Sequence, residues 1–154
     1  MLFRSSIDMA PFFDTSLIAS ALRDALIPDI VLEVIDMSAT GEPRRITQMP
    51  GIIISPQTTD VSGDGGAGNG RWVTELIDIV IQLSDVVEVE ADLPVRLRAI
   101  RSAVWDVLEA ARLSADWSEL RLTGGRMDRM DDATWVWTDT YSINTGTTVA
   151  PRLI

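Results

Sequence analysis

Residues 72–83 read Trp-Val-Thr-Glu-Leu-Ile-Asp-Ile-Val-Ile-Gln-Leu, and this stretch carries the clearest structural pattern in the chain. From Val73 to Leu83 every odd-numbered position is apolar except Glu75, whereas several even-numbered positions are polar. Successive side chains of a β-strand point to opposite faces of the sheet. The alternation therefore predicts a strand with one face on a hydrophobic core.

The segment before this strand is rich in glycine. Residues 56–70 contain five of the ten glycines in the chain, and glycine adds backbone entropy that ordering must overcome. A short apolar run at Gly51–Ile54, bounded by Pro50 and Pro56, predicts another strand. The two strands are thus expected to form a hairpin whose long flexible loop, residues 56–70, projects from the fold.

One helix is predicted before this hairpin and one after it. In residues 93–113 apolar side chains recur every three or four positions, which predicts a long amphipathic helix, Leu93–Leu113, capped by Asp92. A similar stripe predicts an N-terminal helix ending at Leu26, with Asp14 or Thr15 as its cap.

The remaining segments complete an α+β pattern. Short apolar or alternating runs predict strands at Ile30–Ile35, Glu119–Thr123 and Thr134–Asn144. A turn is expected between the last two strands, at Gly124, Gly125, Asp128, Asp131 and Asp132. Residues 146–154 show no pattern and are expected to be a loose tail. The order predicts a single α+β domain, residues 1–154, with a mainly antiparallel sheet and one long helix packed on it.

The amino-acid composition excludes many catalytic mechanisms and types of binding site. The 154-residue chain contains no cysteine, histidine or lysine, so all 13 basic residues are arginine. Disulfides, cysteine nucleophiles, Schiff bases, a P-loop lysine and histidine-based catalysis are excluded. We therefore expect a protein that is not an enzyme and has no cofactor.

Net charge and hydropathy limit the kinds of molecule that the protein is expected to bind. The net charge of −10 opposes sequence-independent binding to nucleic acid. No stretch approaches the roughly 20 apolar residues of a membrane span, and residues 1–20 lack the uninterrupted apolar run of a secretory signal. We expect the protein to be in the cytoplasm of the cell that makes it.

Three acidic or glycine-rich motifs resemble parts of known ligand sites. Gly63–Gly68 matches G-x-G-x-x-G, but a strand follows it where a dinucleotide site needs a helix. Asp60, Ser62 and Asp64 have the spacing of a calcium loop, but Arg71 stands where a closing glutamate is needed. A carboxylate site for a divalent cation at Asp128, Asp131 and Asp132 is left open as an alternative.

The tryptophans suggest a protein interface. Trp135 and Trp137 share one strand face and are expected in the core. Trp72 borders the glycine-rich loop, and Trp117 follows the long helix. Because tryptophan and arginine are enriched in interfaces, we expect a subunit contact around the loop and these two tryptophans. The candidate residues are Asp64, Gly66, Gly68, Asn69, Arg71, Trp72 and Trp117.

The layout resembles the tail terminator, or tail completion, proteins of long-tailed bacteriophages. The resemblance is one of element order and size, and it covers most of the chain. Its elements are the N-terminal helix Thr15–Leu26, the strand Gly51–Ile54 before a long loop, the strand 72–83, the helix Leu93–Leu113 and the tryptophan-rich strand 133–141.

The resemblance implies a structural virion protein of the tail or neck. Such a protein forms a homo-hexameric ring on the head-proximal end of the tail tube, stops tube growth and provides the surface that joins the head. Its partners would be its own copies, the tail tube protein and a head–tail connector, while DNA only passes through the channel. The alternatives are another phage neck protein, such as a connector or head-completion protein, and a carboxylate metal-dependent enzyme.

Overall fold

A sheet and two helices make up the α+β fold seen in the computed structural model, which describes residues 12–38, 45–62, 70–84, 93–130 and 134–148. The elements are α1 (Ser16–Leu26), β1 (Glu33–Asp36), β2 (Gly51–Ser62), β3 (Gly70–Ser84), α2 (Leu93–Leu108), β4 (Arg121–Met130) and β5 (Thr134–Thr148).

The sheet contains five strands in the order β1-β2-β3-β5-β4. Three of its neighbouring pairs are antiparallel, and β1 lies parallel to β2. The predicted α+β class and the largely antiparallel sheet agree with this arrangement, but the parallel edge strand makes the sheet mixed. The long β3 is the centre of the sheet, where Ile79 is paired with Ile54 on one side and Asp139 on the other.

The core lies on the face formed by the odd-numbered residues of β3. Val73, Ile77, Ile79, Ile81 and Leu83 are all buried there, as the alternation predicted. Both helices contribute to the same cluster, through residues such as Ile18 and Leu22 of α1 and Ile100, Val104 and Leu108 of α2. We call this side of the sheet the helix face and the opposite side the even face.

Several element boundaries differ from the predictions. β2 continues to Ser62, so residues 56–62, expected in the flexible loop, form a strand paired with β3. Gly124, Gly125 and Asp128, expected in a turn, lie within β4. β5 extends to Thr148, beyond the start of the predicted loose tail, and α2 ends at Leu108 rather than Leu113. The rest of the predicted loop, residues 63–69, and the tail beyond 148 lie outside the described residues.

The first helix begins close to the predicted position, with Thr15 as its N-cap residue, but the Thr15 side chain makes no capping hydrogen bond. The Asp14 carboxylate accepts a hydrogen bond from the Ser16 amide at 3.0 Å. Thr15 turns its hydroxyl to the buried Asp36 carboxylate at 2.9 Å, which fastens the start of α1 to the end of β1. Among the described helices, neither is long and apolar enough to cross a membrane.

Candidate functional site

The far end of the β2–β3 hairpin exposes apolar side chains on both faces. Trp72 is paired with Ser62 and Gly146 across the sheet, and its side chain is 48% exposed. One row away, Val61 is paired with the buried Val73 and is itself 60% exposed. Since side chains of neighbouring rows point to opposite faces, Trp72 and Val61 offer apolar surface on the two sides of the same strand end.

The Trp72 ring packs against a glycine of β5, Gly146. A Cβ atom added at Gly146 would lie 3.1 Å from Cζ3 of Trp72, closer than ordinary van der Waals contact. The ring therefore lies across the backbone of β5 while much of its surface faces solvent. Arg71, the next residue along β3, is also exposed.

The predicted interface residues fall into three groups. Arg71 and Trp72 lie together at this strand end, which we call the hairpin end (Val61, Ser62, Arg71, Trp72 and Gly146). Asp64, Gly66, Gly68 and Asn69 lie outside the described residues. Trp117 is not at the hairpin end: it is 6% exposed and contacts Phe13 edge to face, with ring centroids 5.5 Å apart. Its side chain is part of the intrachain core, and its role in an interface stays a prediction.

Glu75 is a buried carboxylate on the helix face. It is 4% exposed, and its Oε2 accepts a hydrogen bond from the Phe13 amide at 3.0 Å. Burial raises the pKa of the Glu75 carboxyl, and the hydrogen bond from Phe13 offsets part of that rise. Glu75 thus ties the segment before α1 to the central strand.

A second buried carboxylate, Asp139 of β5, joins α2 to the sheet. Arg101 donates to it through Nε at 2.8 Å and Nη2 at 3.0 Å, and Trp137 Nε1 donates at 2.9 Å. The Arg101 guanidinium also lies 4.5 Å from the centroid of the Trp137 ring, a cation–π geometry. The bidentate pair cancels the charge of a side chain that is almost fully buried.

An open groove of about 320 Å³ follows the Arg101–Asp139 pair between α2 and the outer strands. We call it the α2 groove; its other lining residues are Arg98, Ser102, Trp105, Asp106, Leu122 and Tyr141. No motif in the sequence predicted this groove. One signal was available: Asp139, like Glu75, is a polar residue in an otherwise apolar row of its strand.

Tyr141 forms part of the groove floor and keeps its proton. The residue is 1% exposed, and burial, with the nearby Asp139 carboxylate as a smaller cause, raises the pKa of its phenol well above the ordinary value. The Tyr141 hydroxyl has no hydrogen-bond partner among the described residues. Every side-chain polar atom that is fully buried in those residues does have a partner, so the hydroxyl is not fully buried. The hydroxyl therefore reaches solvent in the groove as a neutral donor.

The even face carries a polar network across four strands. Asp78 of β3 accepts hydrogen bonds from Gln57 at 3.1 Å and Thr140 at 2.7 Å. Arg126 of β4 lies 3.7 Å from the Asp78 carboxylate and binds Asp128 at 2.8 Å. This network cross-links the strands on the side away from the helices.

The network also bears on the metal hypothesis. Asp128 is bound by Arg126 and by the Thr138 hydroxyl, so its oxygens already have partners. Its predicted companions Asp131 and Asp132 lie outside the described residues. Within the described part of the chain there is no group of three acidic residues placed to hold a metal ion.

Comparisons with known proteins find a likeness to a solved structure. No protein-family model matches the chain, and no curated protein matches it. A solved structure described as the virion of a native gene transfer agent particle contains a chain that is 15% identical, with a TM-score of 0.49. The alignment covers 84% of each chain.

Proposed function

We propose that the protein is a structural component of a phage-like virion, and specifically a tail terminator that forms a hexameric ring on the head-proximal end of the tail tube. The proposal starts from the order of elements in the sequence, which resembles that family. The described chain has a helix, a strand hairpin, a second helix and a closing tryptophan-bearing strand in that order.

The observation that carries the proposal is the exposed hairpin end. β2 and β3 continue to Ser62 and Gly70, where Trp72 is about half exposed and Val61 is largely exposed. Large aromatic side chains beside arginine are typical anchors of protein interfaces. A ring forms when such an anchor meets a different surface of the next copy and the repeated rotation closes.

In this proposal the ring acts as a cap. A growing tube exposes an edge that the next ring of tube protein recognises. A terminator ring occupies that edge and presents a different face outward, so that growth stops. The net charge of −10 per chain suits a channel through which DNA passes without adhering.

The mass of the purified full-length protein in solution tests the ring. Six copies of the 16.9 kDa chain have a mass of about 101 kDa, which native mass spectrometry separates from other assemblies. A species of this mass supports the ring. A protein that stays monomeric both alone and with tail tubes contradicts the proposal.

Trp72→Ala tests whether the hairpin end forms the contact. The variant should weaken ring formation by about 2 kcal/mol per contact, because interface tryptophans are common hot spots. Its monomer should keep nearly the stability of the parent, since the side chain is 48% exposed. Trp105→Ala is the matched control, because Trp105 is similarly exposed, at 44%, on α2.

The amount of hexamer is compared between the Trp72→Ala and Trp105→Ala variants. Sedimentation velocity should show loss of the hexamer for Trp72→Ala and retention for Trp105→Ala. Equal loss in both variants, or in neither, contradicts an assembly role for the hairpin end.

Electron microscopy with tail tubes separates a terminator from another neck protein. A terminator added to growing tubes should bind one end and fix tube length. A connector or head-completion protein should bind filled heads and leave tube growth unchanged.

A further inference from the structure

The α2 groove is lined by two charged side chains that make no ion pair or hydrogen bond within the described part of the chain. Arg98 and Asp106 line it, and neither has a partner among the described residues. They are eight positions apart on α2, which corresponds to about 12 Å along a helix that rises 1.5 Å per residue. The groove thus has a free cation at one end and, beyond the neutralised Arg101–Asp139 pair, a free carboxylate at the other.

The Asp106 end also has apolar and hydrogen-bonding surface. Trp105 is 44% exposed, and Leu122 and Tyr141 lie opposite each other on β4 and β5. The Tyr141 hydroxyl, on a residue that is 1% exposed, is a donor without a partner among the described residues. Because this hydroxyl reaches solvent in the groove, it is free to donate to water or to an acceptor on a ligand.

We infer that the α2 groove binds an extended segment of a partner protein that carries an acidic and a basic side chain about four residues apart. At about 3.3 Å per residue, a strand-like segment covers the 12 Å between Arg98 and Asp106 in roughly four residues. The acidic side chain pairs with Arg98, and the basic one pairs with Asp106 over the Trp105 ring.

The middle of the segment completes the fit. Residues i, i+2 and i+4 of an extended chain share a face, so an apolar side chain at the centre enters between the two charged ends. The Tyr141 hydroxyl donates to a backbone carbonyl of the segment. The groove, at about 320 Å³, lies at the low end of the range of roughly 300–1,000 Å³ seen for ligand pockets, which suits a short segment.

This site is independent of the proposed ring contact, because the hairpin end and the α2 groove share no residue. The polarity of the site also argues against a nucleic-acid strand. Such a strand carries negative charge along its whole length and would meet Asp106 unpaired.

A peptide titration tests the inference with the full-length protein. The probe is the capped pentapeptide acetyl-Glu-Ser-Leu-Ser-Arg-amide, followed by backbone and indole NMR signals of the labelled protein. Signals of the groove residues should shift on addition of the peptide. The neutral peptide acetyl-Gln-Ser-Leu-Ser-Gln-amide should bind roughly twofold to fivefold more weakly for each charge that it lacks.

Exposed substitutions locate the two charge contacts. Arg98→Gln and Asp106→Asn should each weaken binding of the charged peptide by roughly twofold to fivefold and leave the neutral peptide unaffected. Arg45→Gln and Asp24→Asn are matched controls, because both residues are exposed and unpaired among the described residues and lie outside both the groove and the hairpin end. The inference is wrong if both peptides bind equally, if the controls weaken binding as much, or if the shifted signals lie away from the groove.

Discussion

At the scale of single residues, the close approach between β4 and β5 depends on Gly125. A Cβ atom at this position would overlap Oδ1 of Asp139 and lie 3.0 Å from two atoms of the Trp137 indole. These are the groups that bind Arg101, so they cannot shift without loosening α2. The glycine is therefore required by its neighbours, although the sequence pattern suggested a turn.

Gly125→Ala should destabilise the protein by about 1–3 kcal/mol, the usual cost of forcing extra volume into a packed site. Gly124→Ala is the matched control, because no atom lies within 4 Å of the Cβ that it would add. Urea unfolding of both variants measures the difference. Equal free energies of unfolding for the two would show that the Asp139 contact is not a steric constraint.

Glu75 makes stability depend on pH in a definite direction. Its native pKa is raised above the ordinary 4.5, so the folded chain binds this proton more tightly than the unfolded chain. Its contribution to stability is then fully present below the unfolded pKa and is lost as the pH rises through the native pKa. At neutral pH the buried charge reduces stability.

Glu75→Gln should therefore be more stable than the parent at neutral pH, because the amide oxygen still accepts the Phe13 amide without a buried charge. The gap in the free energy of unfolding should close at about pH 4 and below, where Glu75 is protonated in both states. Thermal unfolding across this range checks it. A gap that does not change with pH contradicts the assignment.

At the scale of elements, the end of α2 is set by the backbone conformation of Ala110. This residue has a φ of 62°, the left-handed geometry that usually terminates helices at glycine. The Ala110 amide donates to the Leu120 carbonyl at 2.8 Å, which turns the chain toward β4. The apolar periodicity that continues to Leu113 therefore does not continue as helix.

Ala110→Gly should stabilise the protein by roughly 1 kcal/mol, since glycine avoids the cost of this conformation. Ala103→Gly, inside α2, should instead destabilise it by about 1 kcal/mol or more. Guanidinium unfolding of the pair gives changes of opposite sign. If Ala110→Gly is also destabilising, the left-handed residue is not what ends the helix.

At the scale of the whole molecule, charge opposes the assembly that we propose. Each chain carries a net charge of −10, and copies brought into a ring repel one another. Raising the salt concentration from about 0.05 M to 0.3 M shortens the screening length and should increase the hexamer fraction. Sedimentation at several salt concentrations checks this, and a hexamer that dissociates with salt would instead indicate an interface held mainly by ion pairs.

The sequence by itself determined the features that repeat at a local period. The alternation in β3 identified its buried face, and the apolar stripes located α1 and the start of α2, because these periods follow from backbone geometry alone. The same alternation contained the exception at Glu75, which the structure explains as a buried partner of Phe13.

Only the tertiary structure decided where the strands end and which distant residues meet. Pro56, Asp60, Gly124 and Gly125 are residue types depleted in strands, yet pairing with β3 and β5 places them in β2 and β4. Arg101 and Asp139 are separated by 38 positions, and no local pattern relates them. The α2 groove exists because a helix and two strands from separate parts of the chain pack together, a long-range outcome that no single segment encodes.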